Sequence, residues 1–155
     1  MAAVTVRPGR RSLWKCERGA ELVEFALVFP TLLLVMLGIM DFGFMFQRYE
    51  VLTNAAREGA RVAILPGYQD ADVTARVNAY LTAAGLTAPV TVTVAAPQSL
   101  DVGGQCITVR PVTVSYNYTF MFGSFLAFFG EPALGTKALN ATAAMRTEIA
   151  AESCS

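Results

Sequence analysis

Residues 18–30 read R-G-A-E-L-V-E-F-A-L-V-F-P, with two carboxylates, Glu21 and Glu24, at the mouth of an apolar run. A carboxylate facing lipid costs several kcal/mol unless a cation or hydrogen-bond donor meets it. Glu24 therefore needs a partner. It can reach back to the headgroups and pair with Arg18, or it can meet a positive group on a neighbouring helix. Glu21 is shallower and is expected to be solvated.

Catalytic chemistry finds little support elsewhere. The chain has no histidine, which removes histidine-based triads and histidine metal sites, and neither a C-x-x-C pair nor a glycine-rich phosphate loop occurs. The carboxylates Asp70, Asp72, Asp101, Glu131, Glu148 and Glu152 lack metal-loop spacing and fall in expected turns, caps or strand faces. Asp41-Phe42-Gly43 spells a kinase tripeptide without its glycine-rich or catalytic-loop partners. Basic residues beyond the N-terminus are scattered, so nucleic-acid binding lacks its electrostatic footprint. Asn117-Tyr118-Thr119 and Asn140-Ala141-Thr142 fit a glycosylation acceptor, a pattern common by chance. No enzyme, cofactor or metal is expected.

The elements that position Glu24 come from charge and hydropathy. Apolar residues make up 54% of the 155 and charged residues 15%, a balance that leans towards membrane. The net charge of zero is unevenly spread: residues 1–19 carry five basic residues against Glu17, a net +4, and the remainder carries −4. A basic head before an apolar run keeps the N-terminus cytoplasmic and sends the rest outward. Leu22 to Phe46 is apolar apart from Glu24, Thr31 and Asp41. Those residues span roughly 37 Å as a helix, against a hydrocarbon core of about 30 Å. One crossing is expected. A cleaved secretory signal would show A-x-A spacing after the run, and none lies between Met40 and Ala63; a lipoprotein signal would not place Cys16 before the run. An uncleaved anchor and a leader cut ahead of the run remain. Pro30 cannot donate to the carbonyl four residues earlier and should kink the helix or free an acceptor. Gly38 and Gly43 are small enough for another helix to approach. Asp41 falls near the far membrane surface and is expected to mark where the helix meets water.

The stretch Arg18-Gly19-Ala20-Glu21-Leu22-Val23-Glu24-Phe25 resembles the prepilin peptidase site of type IV pilins and pseudopilins. In that family the cut follows a glycine, and glutamate and phenylalanine are the fifth and sixth mature residues. Counting from Ala20, Glu24 and Phe25 hold those places. The continuation to Gly43, together with N-A-A-R-E-G-A-R-V-A at Asn54 to Ala63, is similar to the TadE-like family, pseudopilins or minor pilins of tight adherence (Flp) pilus systems. Leu139 to Glu148 also looks like the close of that family's extracytoplasmic domain. The resemblance implies cleavage after Gly19 and a bacterial inner-membrane location, with the N-terminus cytoplasmic and the C-terminal domain outside. The implied partners are prepilin peptidase, other pilins or pseudopilins, the pilus assembly platform and the bilayer. Cleavage would leave an α-amino group on Ala20, and a neighbour's Glu24 could pair with that charge and set axial register.

Beyond the run the pattern turns amphipathic, and with no proline before Pro66 one helix is expected to continue to about residue 65. Ala55, Gly59 and Ala63, and likewise Ala56 and Ala60, form small-residue ridges suited to packing within one chain or between chains. Arg57 and Arg61, with Glu58, either solvate an exposed face or read a partner. Pro66-Gly67 breaks the helix, Asp70 or Asp72 can cap a second one, and Val73, Val77, Tyr80, Leu81 and Ala84 share its face up to a stop at Gly85. Val90 to Val94 alternates as a strand. Ile107 and Val109 alternate, then the phase flips after Arg110-Pro111 to Val112, Val114, Tyr116 and Tyr118, predicting a bulge or a break into two strands. Leu139, Ala141, Ala143 and Met145 predict a last strand with Asn140, Thr142 and Arg146 outward. The phenylalanines of Phe120 to Phe129 are core or an exposed flap touching a membrane or a neighbour.

Cys16 lies in the basic head, leaving Cys106 and Cys154 as an even pair outside. A bridge between them would stabilise by about 4 kcal/mol through loop closure; two unpaired thiols are the alternative. The expected architecture is α+β and pilin-like: a leader over 1–19, a membrane helix over 20–46, and an outer domain of helix on a mainly antiparallel sheet over 47–155. Two functions fit, a pseudopilin-like structural component of a pilus or related secretion machine, and an uncleaved single-span binding module.

Overall fold

The computed structural model describes residues 17–122 and 135–147. Helix α1 runs Glu17–Ala63 with Pro30 inside it, and a second helix, α2, runs Asp70–Ala83. Strands β1 (Val90–Val94), β2 (Gln98–Val102), β3 (Gln105–Thr119) and β4 (Thr136–Thr147) complete the order. By its contacts the chain divides after Gly38 into two compact units.

In the first unit the helix carries large apolar side chains that face outward, among them Leu22, Phe25, Leu27 and Leu32. Phe25 and Phe29 stack one turn apart at 5.2 Å between ring centroids. Helix α1 from Gly19 is long and apolar enough to cross a membrane.

The second unit is built around β3. Strand β4 pairs antiparallel along one side of β3 from Thr108↔Thr147 to Thr119↔Thr136. The other side is shared by β1, opposite Val112 to Tyr116, and β2, opposite Gln105 to Val109. All three pairings are antiparallel, so the fold is α+β as the periodicities implied, and pilin-like as the resemblance implied. The end of α1 and all of α2 cover one face. Leu52, Ala55, Ala56, Val77 and Leu81 meet Val114, Tyr118, Leu139 and Ala141; Ala60, Ala63 and Val73 meet Val112. Val90, Val92 and Val94 alternate inward on β1, and Leu139, Ala141, Ala143 and Met145 do so on β4, with Asn140, Thr142 and Arg146 exposed.

Four expectations are corrected. No bulge or break interrupts β3, whose register with β4 is continuous through Pro111. The pleat alternates without a slip, and it is Arg110, not Ile107 or Val109, that shares the helix-covered face with Val112 and Val114. The irregularity lies in the neighbour: β1 ends and β2 begins opposite this point, with Ala95 N–H donating to the Pro111 carbonyl at 2.9 Å. Helix α2 is capped by Gln69 rather than by Asp70, while Asp72 Oδ2 reaches back to accept the Gln69 N–H at 2.8 Å. At the other end Gly85 N–H bonds the Thr82 carbonyl and Leu86 N–H the Leu81 carbonyl, and the buried residue there is Leu86, Ala84 being exposed. Strand β2 was not foreseen. It joins β3 through Gly103-Gly104, both at positive φ as a two-residue hairpin requires, with Asp101 Oδ1 accepting the Gly104 N–H at 2.8 Å.

Candidate functional site

The carboxylate at the mouth of the run sits on a regular helix. Gly19 is the third residue of α1, where the backbone N–H has no intrahelical acceptor, and Glu24 lies one turn beyond Ala20 on the same face. Ala20, Glu21, Glu24 and Phe25 are all exposed. Further along, a Cβ built on Gly38 or Gly43 meets nothing within 4 Å. Pro30 is exposed within the continuous helix.

The ridges of small residues behave differently. Ala55, Ala56 and Ala60 are fully buried, and a Cβ on Gly59 would fall 2.6 Å from Val77 Cγ2 and 3.1 Å from Val112 Cγ1. These positions pack within the chain, letting α1 close on both α2 and β3. On the opposite stripe Glu58 accepts from Arg61 and from Arg76 of α2, with closest N···O distances of 2.8 and 2.7 Å. Hydrogen bonds from the two guanidiniums hold the Glu58 carboxyl down at about 2. Of the charged stripe, Glu58 thus joins α1 to α2 through Arg76, Arg61 pairs with Glu58 within α1, and Arg57 is exposed.

Asp41 departs most from expectation. It is 5% exposed rather than facing water. Its Oδ1 accepts the Met121 N–H at 3.0 Å and its Oδ2 the Phe122 N–H at 2.9 Å, while its backbone carbonyl accepts the Tyr118 hydroxyl at 3.2 Å. Burial, with the Asp41 charge second, pushes the Tyr118 hydroxyl pKa upward. Phe120 packs edge-on against both Tyr118 and Phe42. Asp41 therefore clamps the end of β3 to the helix. Sequence reading missed this because the donors are backbone groups some 80 residues away. Phe120 is half-buried, Phe122 likewise, and Phe125, Phe128 and Phe129 lie outside the described residues.

Arg110 makes a second clamp. Its Nη1 donates to the carbonyl of Ala63, the last residue of α1, at 3.1 Å, and Nη2 pairs with the Asp70 carboxylate at the start of α2. A cation on the orphan carbonyls of a helix end suits the dipole there. Next to it lies a cleft of about 740 Å³ lined by Leu65, Tyr68, Pro97, Arg110 and Arg146. Cys106, at the start of β3, is disulfide-bonded; Cys16 and Cys154 both lie outside the described residues. Among the described residues no group of His, Cys, Asp or Glu converges as a metal site would require.

Comparison with known proteins adds one match, to the family described as TadE-like protein, over residues 19–61. No curated protein and no solved structure matches the chain. The match begins at Gly19 and covers α1 almost to its end, taking in Glu24, Gly38, Asp41, Gly43 and the buried ridge. From Gly19 to Arg61 this chain is a TadE-like family domain.

Proposed function

We propose that the chain is a pseudopilin-like structural component of a tight adherence (Tad, Flp-type) pilus or a related secretion machine. Prepilin peptidase cuts it after Gly19, and α1 holds it in the inner membrane with the sheet domain outside. The observation that carries this reading is the family match, which starts at Gly19 and lies on a helix long and apolar enough to cross a bilayer. In the assembled state Glu24 pairs with the amine that cleavage leaves on Ala20 of a neighbouring subunit, other pilins or pseudopilins being the partners. The exposure of Glu24 on the helix surface supports that role. Pro30, Gly38 and Gly43 shape the helix surface that neighbours approach. A bridge from Cys106 to Cys154 would tie the end of the chain to β3, and peptide mapping without reduction tests it.

Intact mass and N-terminal sequencing of protein from its own host membranes test the processing. A mature chain beginning at Ala20 is expected, and a Gly19 substitution should accumulate uncut protein. Glu24→Gln should stay in the membrane and lose co-purification with other pilins. A chain retaining residues 1–19 would favour the second reading, an uncleaved anchored binding module, for which the cleft beside Arg110 is the candidate site.

A further inference from the structure

We infer that the end of β3 is a second membrane contact. Asp41 holds Met121 and Phe122 against α1 so that Met121 enters the boundary between headgroups and acyl chains alongside Phe42 and Phe46. The inference rests on the reading that α1 spans a bilayer.

Three observations carry it. Phe42 and Phe46 belong to the last turns of the apolar run, before Gln47 and Arg48 restore polarity, and they are 52% and 61% exposed. Aromatic side chains in the turns that leave a membrane settle at its interface. Next, the Asp41 hydrogen bonds fix Met121 at the level of those turns, and Met121 is 67% exposed, while Phe120 touches Phe42 at 6.1 Å between ring centroids. Whatever medium surrounds Phe42 and Phe46 therefore reaches Met121. Finally, both Asp41 oxygens are satisfied by backbone N–H groups and the residue is shielded from solvent. An internally satisfied carboxylate is what a site at the edge of the hydrocarbon demands, since lipid offers no donor. A carboxylate pointed at water would need no such arrangement.

Tryptophan depth reporters in the full chain test the contact. Trp14, the single tryptophan, is first replaced by phenylalanine. Leu32→Trp, Met121→Trp and Leu100→Trp are then made separately, at positions that are each exposed, and reconstituted in phosphatidylcholine vesicles with or without brominated acyl chains. Position 32 reads the span, and position 100, on β2, reads water. The expected result is loss of emission in brominated vesicles at 32 and 121, with iodide quenching only at 100. Lipid quenching at 32 without lipid quenching at 121 overturns the contact and leaves the span intact. In that case iodide access at 121 indicates water, and resistance to both quenchers indicates cover by protein. Absence of lipid quenching at 32 overturns the spanning reading, and the contact falls with it.

Discussion

Two stretches of α1 share one backbone and differ in what their small residues do. Around Gly38 and Gly43 most large apolar side chains face outward, with Asp41 and Met45 turned towards the sheet domain, and a methyl group added at either glycine would touch nothing. From Leu52 to Ala63 the small residues form one stripe, charged and polar residues hold the other, and the stripe is buried against α2 and the sheet. A glycine or alanine ridge is therefore not by itself a sign of packing between chains. Apolar surface all round marks a helix whose solvent is something other than water, whereas a one-sided stripe marks a helix with a protein partner in the same chain.

The sharpest way to break that distinction is at the glycines. Gly59→Val would drive a branched side chain into Val77 and Val112, both stiff at χ1, and should destabilise the domain by about 3 kcal/mol. Gly38→Ala and Gly43→Ala should raise helix stability by about 0.5–1 kcal/mol. Denaturant unfolding of the three variants in detergent reads the contrast. Equal tolerance at all three positions would mean that the ridge is not closed within the chain. If Gly38→Ala unfolds later yet no longer co-purifies with proteins that the wild type brings down, that position is reserved for another helix.

A smaller but more local contrast separates the two carboxylates of the apolar run. Asp41 is buried and has its hydrogen-bond donors inside the chain, and Glu24 is exposed. Asp41→Ala would leave the Met121 and Phe122 N–H groups unpaired beside apolar side chains, at a cost of about 2 kcal/mol or more. Hydrogen exchange at those two amides should accelerate, while exchange in β1 stays slower than theirs. Asp41→Asn keeps an acceptor and should fall between. Unchanged exchange at both amides in Asp41→Ala would remove the clamp.

Periodicity made most of this fold legible, because α1, α2, β1 and β4 each bury a regularly spaced set of side chains. What periodicity could not carry was contact whose chemistry sits in the backbone or in an exposed element. Every residue of β2 is exposed, so it has no inward alternation and only Gly103-Gly104 marks its hairpin. Arg110 disguised a continuous strand: a cation on the helix-covered face made Ile107 and Val109 look like the inward set. Asp41 looked like a boundary marker because nothing at Met121 or Phe122 advertises a backbone donor. The N-terminal segment was read for a different reason, since Gly19, Glu24 and Phe25 fit a short pattern of a family whose model matches from residue 19.

The smallest expected effect lies on the polar stripe, at Glu58. Its carboxyl titrates at about 2 in the folded protein, against an ordinary value of 4.5, because Arg61 and Arg76 donate to it. A depressed carboxylate pKa means the unfolded chain binds the proton more readily. The stabilisation is therefore present above pH 4.5 and is lost as pH falls from there towards about 2. Both arginines are more than half exposed, so solvent screens the pairs, and Glu58→Gln should cost only about 1 kcal/mol at neutral pH. The same substitution should remove part of the acid sensitivity of the wild type between pH 4.5 and 2. Salt near 1 M, where the screening length shrinks to about 3 Å, should narrow the gap between the two proteins at neutral pH. If the gap persists undiminished in salt, the contribution of Glu58 comes from packing its side chain between α1 and α2 rather than from its charge. The polar stripe would then resemble the buried ridge opposite it more closely than its composition suggests.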